Sequence, residues 1–146
     1  MQKLSAWAKA IERQEGYSQG TRSFRNKNPG NLRWTSYTKS LGAFGKDKDN
    51  FCIFRTYNDG FAALCQFLRD ASWRQLRPYH IFNSSIPYHK TLLPEGKNGD
   101  ELPELTLLDF CSIYAPAEDS NKPFEYALSI ANQLKVTPSA YIKELV

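Results

Sequence analysis

Read as hydrophobic against polar positions, the chain opens on a helical rhythm. Leu4, Trp7 and Ile11 recur at spacings of three and four. At about 100° per residue they share one stripe of a helix over residues 4–15. Ser5 is placed to cap its start and Gly16 to end it. Glu15 falls within about 40° of Ile11 on that stripe, whereas Glu12 lies about 100° away, beside Lys9 and facing solvent. A carboxylate that points where a core belongs is the first irregularity along the chain.

From Gly16 to Gly30 small and polar residues dominate, and Asn28-Pro29-Gly30 is a strong turn signal. Residues 31–37 alternate as a strand does. Residues 41–50, with Gly42, Gly45 and charges at 46–48, read as a hairpin connection, and residues 51–56 as the returning strand. Behind a cap at Asp59 or Asn58, Phe61, Leu64, Cys65, Leu68 and Ala71 recur at helical spacing. Residues 74–104 carry Pro78, Pro87, Pro94 and Pro103 and the weakest period; a segment of that length is functional or ordered by short helices. Leu107, Leu108, Cys111 and Tyr114 form the stripe of a helix over 106–114, with Thr106 and Asp109 as a capping box and Pro116 as its stop. Pro123 introduces a helix over 123–135, and Thr137-Pro138 opens a last short one to Leu145. No repeat, low-complexity run or linker interrupts the pattern. One domain over 1–146 is expected, α+β and mainly α, with a single β-hairpin.

Composition changes this picture little. At 146 residues with 41% hydrophobic and 23% charged, the chain is an ordinary globular one. A disordered acidic tail, a collagen-like fibre and a two-domain enzyme are excluded. Nineteen Lys and Arg against fifteen Asp and Glu leave +4, which suits an anionic partner: nucleic acid, a membrane surface or bacterial wall. Cys52, Cys65 and Cys111 are odd in number and widely spaced, and His80 and His89 are too few to complete a zinc set. No metal or other cofactor is expected, and reduced core thiols suit a reducing compartment. The N-terminus lacks the apolar core of a signal peptide, and no stretch nears the ~20 apolar residues of a membrane span. Synthesis in the cytoplasm, without a signal peptide or stable membrane insertion, is the expectation.

Chemistry concentrates at Glu15. Burial favours the protonated form of a carboxyl, the property a general acid needs near neutral pH. The plainer alternative is a Glu15 side chain that bends out to Arg13, Arg22 or Arg25. The residues beyond Glu15-Gly16 bear on that choice: Arg25-Asn26-Lys27-Asn28-Pro29-Gly30-Asn31-Leu32-Arg33, then Phe54 and Gly60-Phe61-Ala62-Ala63-Leu64, then Tyr114-Ala115-Pro116. This order resembles the lysozyme-like cell-wall hydrolases of phage virions and lysis modules, relatives of lytic transglycosylases. The resemblance spans roughly residues 10–136, its most specific part being Asn-Pro-Gly-Asn. Lys27 stands where that family often has Asn, and residues 74–104 match nothing in it.

The resemblance implies a lysozyme-like fold in which the first helix delivers Glu15 into a saccharide cleft, one wall of it the hairpin and the other the helical bundle. Glu15 would protonate the β-1,4 bond between N-acetylmuramic acid and N-acetylglucosamine. Asn28, Asn31, Arg33, Tyr114, Asn121 and Tyr126 would bind substrate, with the Tyr114 hydroxyl at Glu15. The partner would be peptidoglycan glycan strands, met by a monomer in the periplasm after release, injection or delivery in a virion. Each residue has a plainer reading: turn chemistry for Asn28 and Asn31, a surface charge for Arg33, core packing for Tyr114. Trp34 and Tyr37 either stack on sugars or fill a core.

A hydrolase also wants a second carboxylate about 5–9 Å from the acid. No Asp or Glu lies between Gly16 and Lys46. Asp47 and Asp49 at the hairpin tip and Asp59 at a helix start are the first candidates, each with a structural role at hand. A lone carboxylate suits a transglycosylase, in which Glu15 acts as acid and then as base while the sugar's own hydroxyl closes an anhydro ring. A hydrolase with an Asn-held water stays open. Two other classes compete: a catalytically inactive wall-binding or virion module on the same scaffold, and a nucleic-acid binder built on Arg22, Arg25, Lys27, Arg33 and Lys39 between Phe24, Trp34 and Tyr37. The modest charge and the lack of a nucleic-acid motif speak against the last.

Overall fold

The structure, a computed structural model, describes residues 2–73, 76, 79, 104–115 and 121–146. It is mainly helical with one small antiparallel sheet. The chain divides into two compact units, residues 1–68 and 69–146, which are taken in turn.

The first unit begins with α1 (Gln2–Gln14), which starts three residues before the expected cap at Ser5. Leu4, Trp7 and Ile11 are buried, as their spacing predicts. The next segment is less of a loop than its composition suggests. Thr21 accepts a hydrogen bond from the Phe24 amide and so caps α2 (Arg22–Arg25). The strand expected over 31–37 is reduced to one bridge, Arg33 to Phe51. The reason is local: Thr35 and Thr38 form a reciprocal capping box that starts α3 (Ser36–Ser40) and overrides the alternation. The hairpin forms instead between β1 (Gly45–Lys46) and β2 (Cys52–Ile53), with Gly45 opposite Ile53 and Lys46 opposite Cys52. Residues 32–34 flank its returning arm, since Cys52 donates to the Leu32 carbonyl and Trp34 to that of Asn50, both at 2.9 Å.

Helix α4 (Tyr57–Ser72) comes next. Its cap is neither Asp59 nor Asn58 but Thr56, whose hydroxyl accepts from the Asp59 amide at 3.0 Å. One turn in, Gly60 explains the small residue in the Gly-Phe-Ala-Ala-Leu run. A Cβ there would stand 2.0 Å from the Lys27 carbonyl oxygen and 3.0 Å from Pro29 Cδ. The helix and the 27–30 turn thus meet backbone to backbone, which only glycine permits.

In the second unit, α5 (Leu107–Tyr114) carries the expected capping box of Thr106 and Asp109. The first-turn amides of Leu107 and Leu108, which have no partner inside the helix, donate to the carbonyls of Ala140 and Pro138 at 2.8 and 3.0 Å. α6 (Pro123–Leu134) has proline in its first turn, as predicted, and packs on α5. The last segment is not an α-helix from Pro138 but a 3-10 turn over Ile142–Leu145. Pro116 and residues 80–103 lie outside the described residues. Among the described residues there is no disulfide, no group of three or more His, Cys, Asp or Glu that could hold a metal, and no helix long and apolar enough to cross a membrane.

Candidate active site

Glu15 sits where α1 stops, and the stop is built from backbone. The Glu15 amide still donates helically to the Ile11 carbonyl at 2.8 Å. Gly16 then turns left-handed at φ 72°, so that its amide reaches Arg13 at 3.1 Å and the Tyr17 amide reaches Glu12 at 3.2 Å. That pair of reversed bonds closes a helix with Gly just past its last residue. Glu15 is therefore a helix C-cap, at the negative end of the helix dipole, where stability alone favours a cation.

What meets the carboxylate is Asn31: its Nδ2 donates to Glu15 Oε1 at 3.0 Å, across sixteen residues of sequence. Both side chains are partly buried. Asn31 itself is left-handed at φ 47°, a conformation that asparagine tolerates better than most residues. Its other amide atom, Oδ1, is buried without a hydrogen-bond partner.

Asn28 holds Asn31 in place and does not face the surface. It is fully buried, and its Nδ2 donates to the carbonyls of Leu32 and Cys52, both at 3.0 Å, while its Oδ1 accepts from the Leu32 amide at 2.9 Å. The expected sugar contact through Asn28 is thus corrected: an amide with no exposed surface that clamps its own loop to β2 is turn chemistry. The Asn31 amide closes the same turn onto the Asn28 carbonyl at 3.0 Å. Gly60 admits that turn against α4.

The sequence placed Glu12 in solvent, and here too the structure differs. The Glu12 side chain is only 14% exposed. Lys9 Nζ donates to the Tyr57 hydroxyl at 2.7 Å, and that hydroxyl donates to Glu12 Oε1 in a short hydrogen bond. Lys9 also reaches Glu12 Oε2 at 3.4 Å. Burial, and then the bond to Glu12, push the Tyr57 hydroxyl above its ordinary pKa, so it stays a donor at neutral pH. The Tyr57 hydroxyl, with the charge of Glu12 behind it, likewise holds the Lys9 ammonium above its ordinary value against the opposing effect of burial. Glu12 precedes Glu15 by three residues, a spacing that sets Cβ atoms about 5–6 Å apart on a helix. Glu12 is thus a second carboxylate one turn from Glu15 that its place on the helical stripe assigns to solvent; its signal in the sequence is the i, i+3 spacing itself.

The other acidic candidates have structural work. Asp47 accepts from the Asn26 side chain at 2.8 Å and from the amides of Asp49 and Phe51 at 2.9 and 3.0 Å, which ties the hairpin tip together. Asp49 is exposed and meets Arg22 at 3.3 Å. Asp59 is exposed in the first turn of α4. Arg33 is exposed with its guanidinium 4.6 Å from the centre of the Phe51 ring, while Arg22 lies 4.3 Å from the same ring. Tyr37 packs against Phe67, and the Lys39 ammonium lies 6.0 Å from the Trp34 ring.

Tyr114, Asn121 and Tyr126 belong to the second unit. Tyr114 stacks on Phe110 at 5.1 Å between ring centres, and its ring lies 6.4 Å from that of the buried Tyr126. Asn121 is exposed just before α6. Of the seven expected site residues, the structure joins Glu15 to Asn31 directly, sets Asn28 beneath them, and pairs Tyr114 with Tyr126. No family model, curated protein or solved structure matches this chain.

Proposed function

We propose that this protein is a peptidoglycan-cleaving glycosidase of lysozyme-like fold, with Glu15 as its general acid and base. The observation that carries the reading is the Glu15–Asn31 bond: a carboxylate at the end of a helix that disfavours it, held by the last residue of the Asn-Pro-Gly-Asn turn. A structural carboxylate has no need of that position, whereas an acid that must reach a ligand from a fixed backbone does.

The arrangement suits a group that changes protonation during a cycle. As a carboxylate, Glu15 accepts from Asn31 Nδ2. As an acid protonated on its other oxygen, Glu15 keeps Oε1 as the acceptor for Asn31 Nδ2 and leaves its one proton free for a ligand. Asn31 thereby holds Glu15 in both states. Glu15 would first protonate the glycosidic oxygen. It would then take a proton either from the muramyl hydroxyl, closing an anhydro ring, or from water. The Glu12 carboxylate one turn earlier gives the hydrolytic route a candidate partner, though its bonds to Lys9 and Tyr57 favour a supporting role.

The substrate would be glycan strands of the bacterial wall. The enzyme would meet them after release, injection or delivery in a virion. Purified peptidoglycan incubated with the protein tests the reading. Soluble muropeptides with reducing ends mean hydrolysis, and anhydro ends mean transglycosylation. Binding to the wall without any release points to the inactive wall-binding module.

A further inference from the structure

The opening residues of α4 meet both of the segments that carry the Glu15–Asn31 bond. Tyr57 grips the end of α1 on either side of the Glu15-Gly16 step. Before the step, its hydroxyl donates to Glu12 Oε1 and accepts from Lys9 Nζ at 2.7 Å. After the step, its ring packs against Tyr17, 5.3 Å between ring centres. These two points are tied to each other, since the Tyr17 amide donates to the Glu12 carbonyl at 3.2 Å. Tyr57 is itself fixed by stacking with Phe61 at 5.8 Å.

Three residues further along α4, Gly60 meets the segment that carries the other partner. Positions i and i+3 lie on one face of a helix, so Tyr57 and Gly60 share that face. A Cβ at Gly60 would stand 2.0 Å from the Lys27 carbonyl oxygen and 3.0 Å from Pro29 Cδ. Asn31 follows this turn directly, its amide closed on the Asn28 carbonyl at 3.0 Å. One short stretch of α4 thus underlies both sides of a bond between residues sixteen apart. A close-packed interior passes a small shift at such a base on to the groups it supports.

The groups around Tyr57 make a joint rather than a second acid. Burial first, and then Glu12, hold its hydroxyl above the ordinary pKa. That hydroxyl in turn holds the Lys9 ammonium above its own, so both keep their protons at neutral pH. We infer that Tyr57 is a positioning residue of the site: its hydroxyl on Glu12 and its ring on Tyr17 set the end of α1 so that Glu15 meets Asn31. It acts through α1 and not on a ligand. Its effect on catalysis rests on the glycosidase reading, whereas the Glu15–Asn31 geometry is read without any activity.

The Asn31 side-chain amide reports that geometry in heteronuclear NMR spectra. Its absence from Asn31→Gly assigns it, and Glu15→Ala gives its position without the bond. In Tyr57→Phe, which loses the hydroxyl and keeps the ring, the resonance is expected to move from its wild-type position toward that of Glu15→Ala. Glu12→Ala should move it likewise, and Glu12→Gln, which keeps an acceptor for the hydroxyl, should restore it. On sacculi, Tyr57→Phe should lower kcat about tenfold and leave KM within about twofold, as a misplaced acid does when the substrate still binds. Circular dichroism spectra like that of wild type establish that the variants are folded. A folded Tyr57→Phe with the wild-type resonance, or a Glu12→Gln that behaves as Glu12→Ala, overturns the positioning role whether or not sacculi are cleaved. A displaced resonance with kcat unchanged overturns its part in catalysis. Wild type that releases no muropeptides removes the glycosidase reading, and the resonance alone then decides the role of Tyr57.

Discussion

Replacing Asn28 separates a scaffold from a substrate contact. The side chain makes three buried hydrogen bonds, at 3.0, 3.0 and 2.9 Å. In Asn28→Ala the Leu32 carbonyl keeps a partner, the Cys52 amide at 2.9 Å. The Leu32 amide and the Cys52 carbonyl lose theirs. Two buried groups without partners cost about 1–3 kcal/mol each, so about 4 kcal/mol together. Against a total of about 5–15 kcal/mol that is a large share. It corresponds to a urea midpoint about 2 M lower when m is near 2 kcal/mol/M. Asn28→Asp adds a signature of its own. Its carboxylate would face two carbonyl oxygens in the interior, so its folded pKa rises above the unfolded value. The stability of that variant is therefore nearest to wild type at low pH and is lost as pH rises through the folded pKa. Urea unfolding followed by circular dichroism at pH 4 and pH 7 checks both variants. An Asn28→Ala protein within 1 kcal/mol of wild type that has nevertheless lost activity would refute the scaffold role and restore a substrate contact.

Two further predictions concern the same unit. Asn31→Gly accepts the left-handed backbone but removes the donor to Glu15; a hydrogen bond to a charged group is worth about 1.5–3 kcal/mol, so the melting temperature should fall by several degrees with the protein still folded at 25 °C, muropeptide release there should fall at least tenfold, and undiminished release would remove Asn31 from the mechanism. Burial pushes the Asp47 carboxyl up, but the Phe51 amide, the Asn26 side chain, the Asp49 amide and Arg22 together outweigh it and hold its pKa below the usual value. A depressed carboxyl stabilises above its unfolded pKa and loses that contribution as pH falls through its folded one, so wild type should exceed Asp47→Asn in thermal melts at pH 7 and the gap should close below about pH 4; a gap independent of pH would contradict this.

Much of this was legible in local sequence. The first stripe placed Trp7 and Ile11 in a core, Thr106 and Asp109 announced their capping box, and Gly16 announced a helix end. Glu15 stood out because it broke a pattern. What could not be read depends on partners distant in sequence. Asn31 meets Glu15 across sixteen residues, Asn28 meets Cys52 across twenty-four, and Tyr57 meets Glu12 across forty-five. Periodicity carries no information about such pairs, so Glu12 read as solvated, and Asn28 stayed open between a substrate contact and turn chemistry. The 31–37 alternation failed for a different reason: a Thr35–Thr38 box four residues in is a stronger local signal than the two-residue period it interrupts.

Release of soluble muropeptides from purified sacculi by wild type and by Glu15→Gln is the most direct test of the central claim. The substitution keeps the shape of the side chain and an acceptor for Asn31 Nδ2 but removes the proton that can be transferred. General acid–base catalysis contributes about 10²–10⁴-fold, so release should fall by at least a hundredfold with unchanged circular dichroism and melting temperature. A Glu15→Gln protein that clears sacculi at the wild-type rate would place the chemistry elsewhere in the chain.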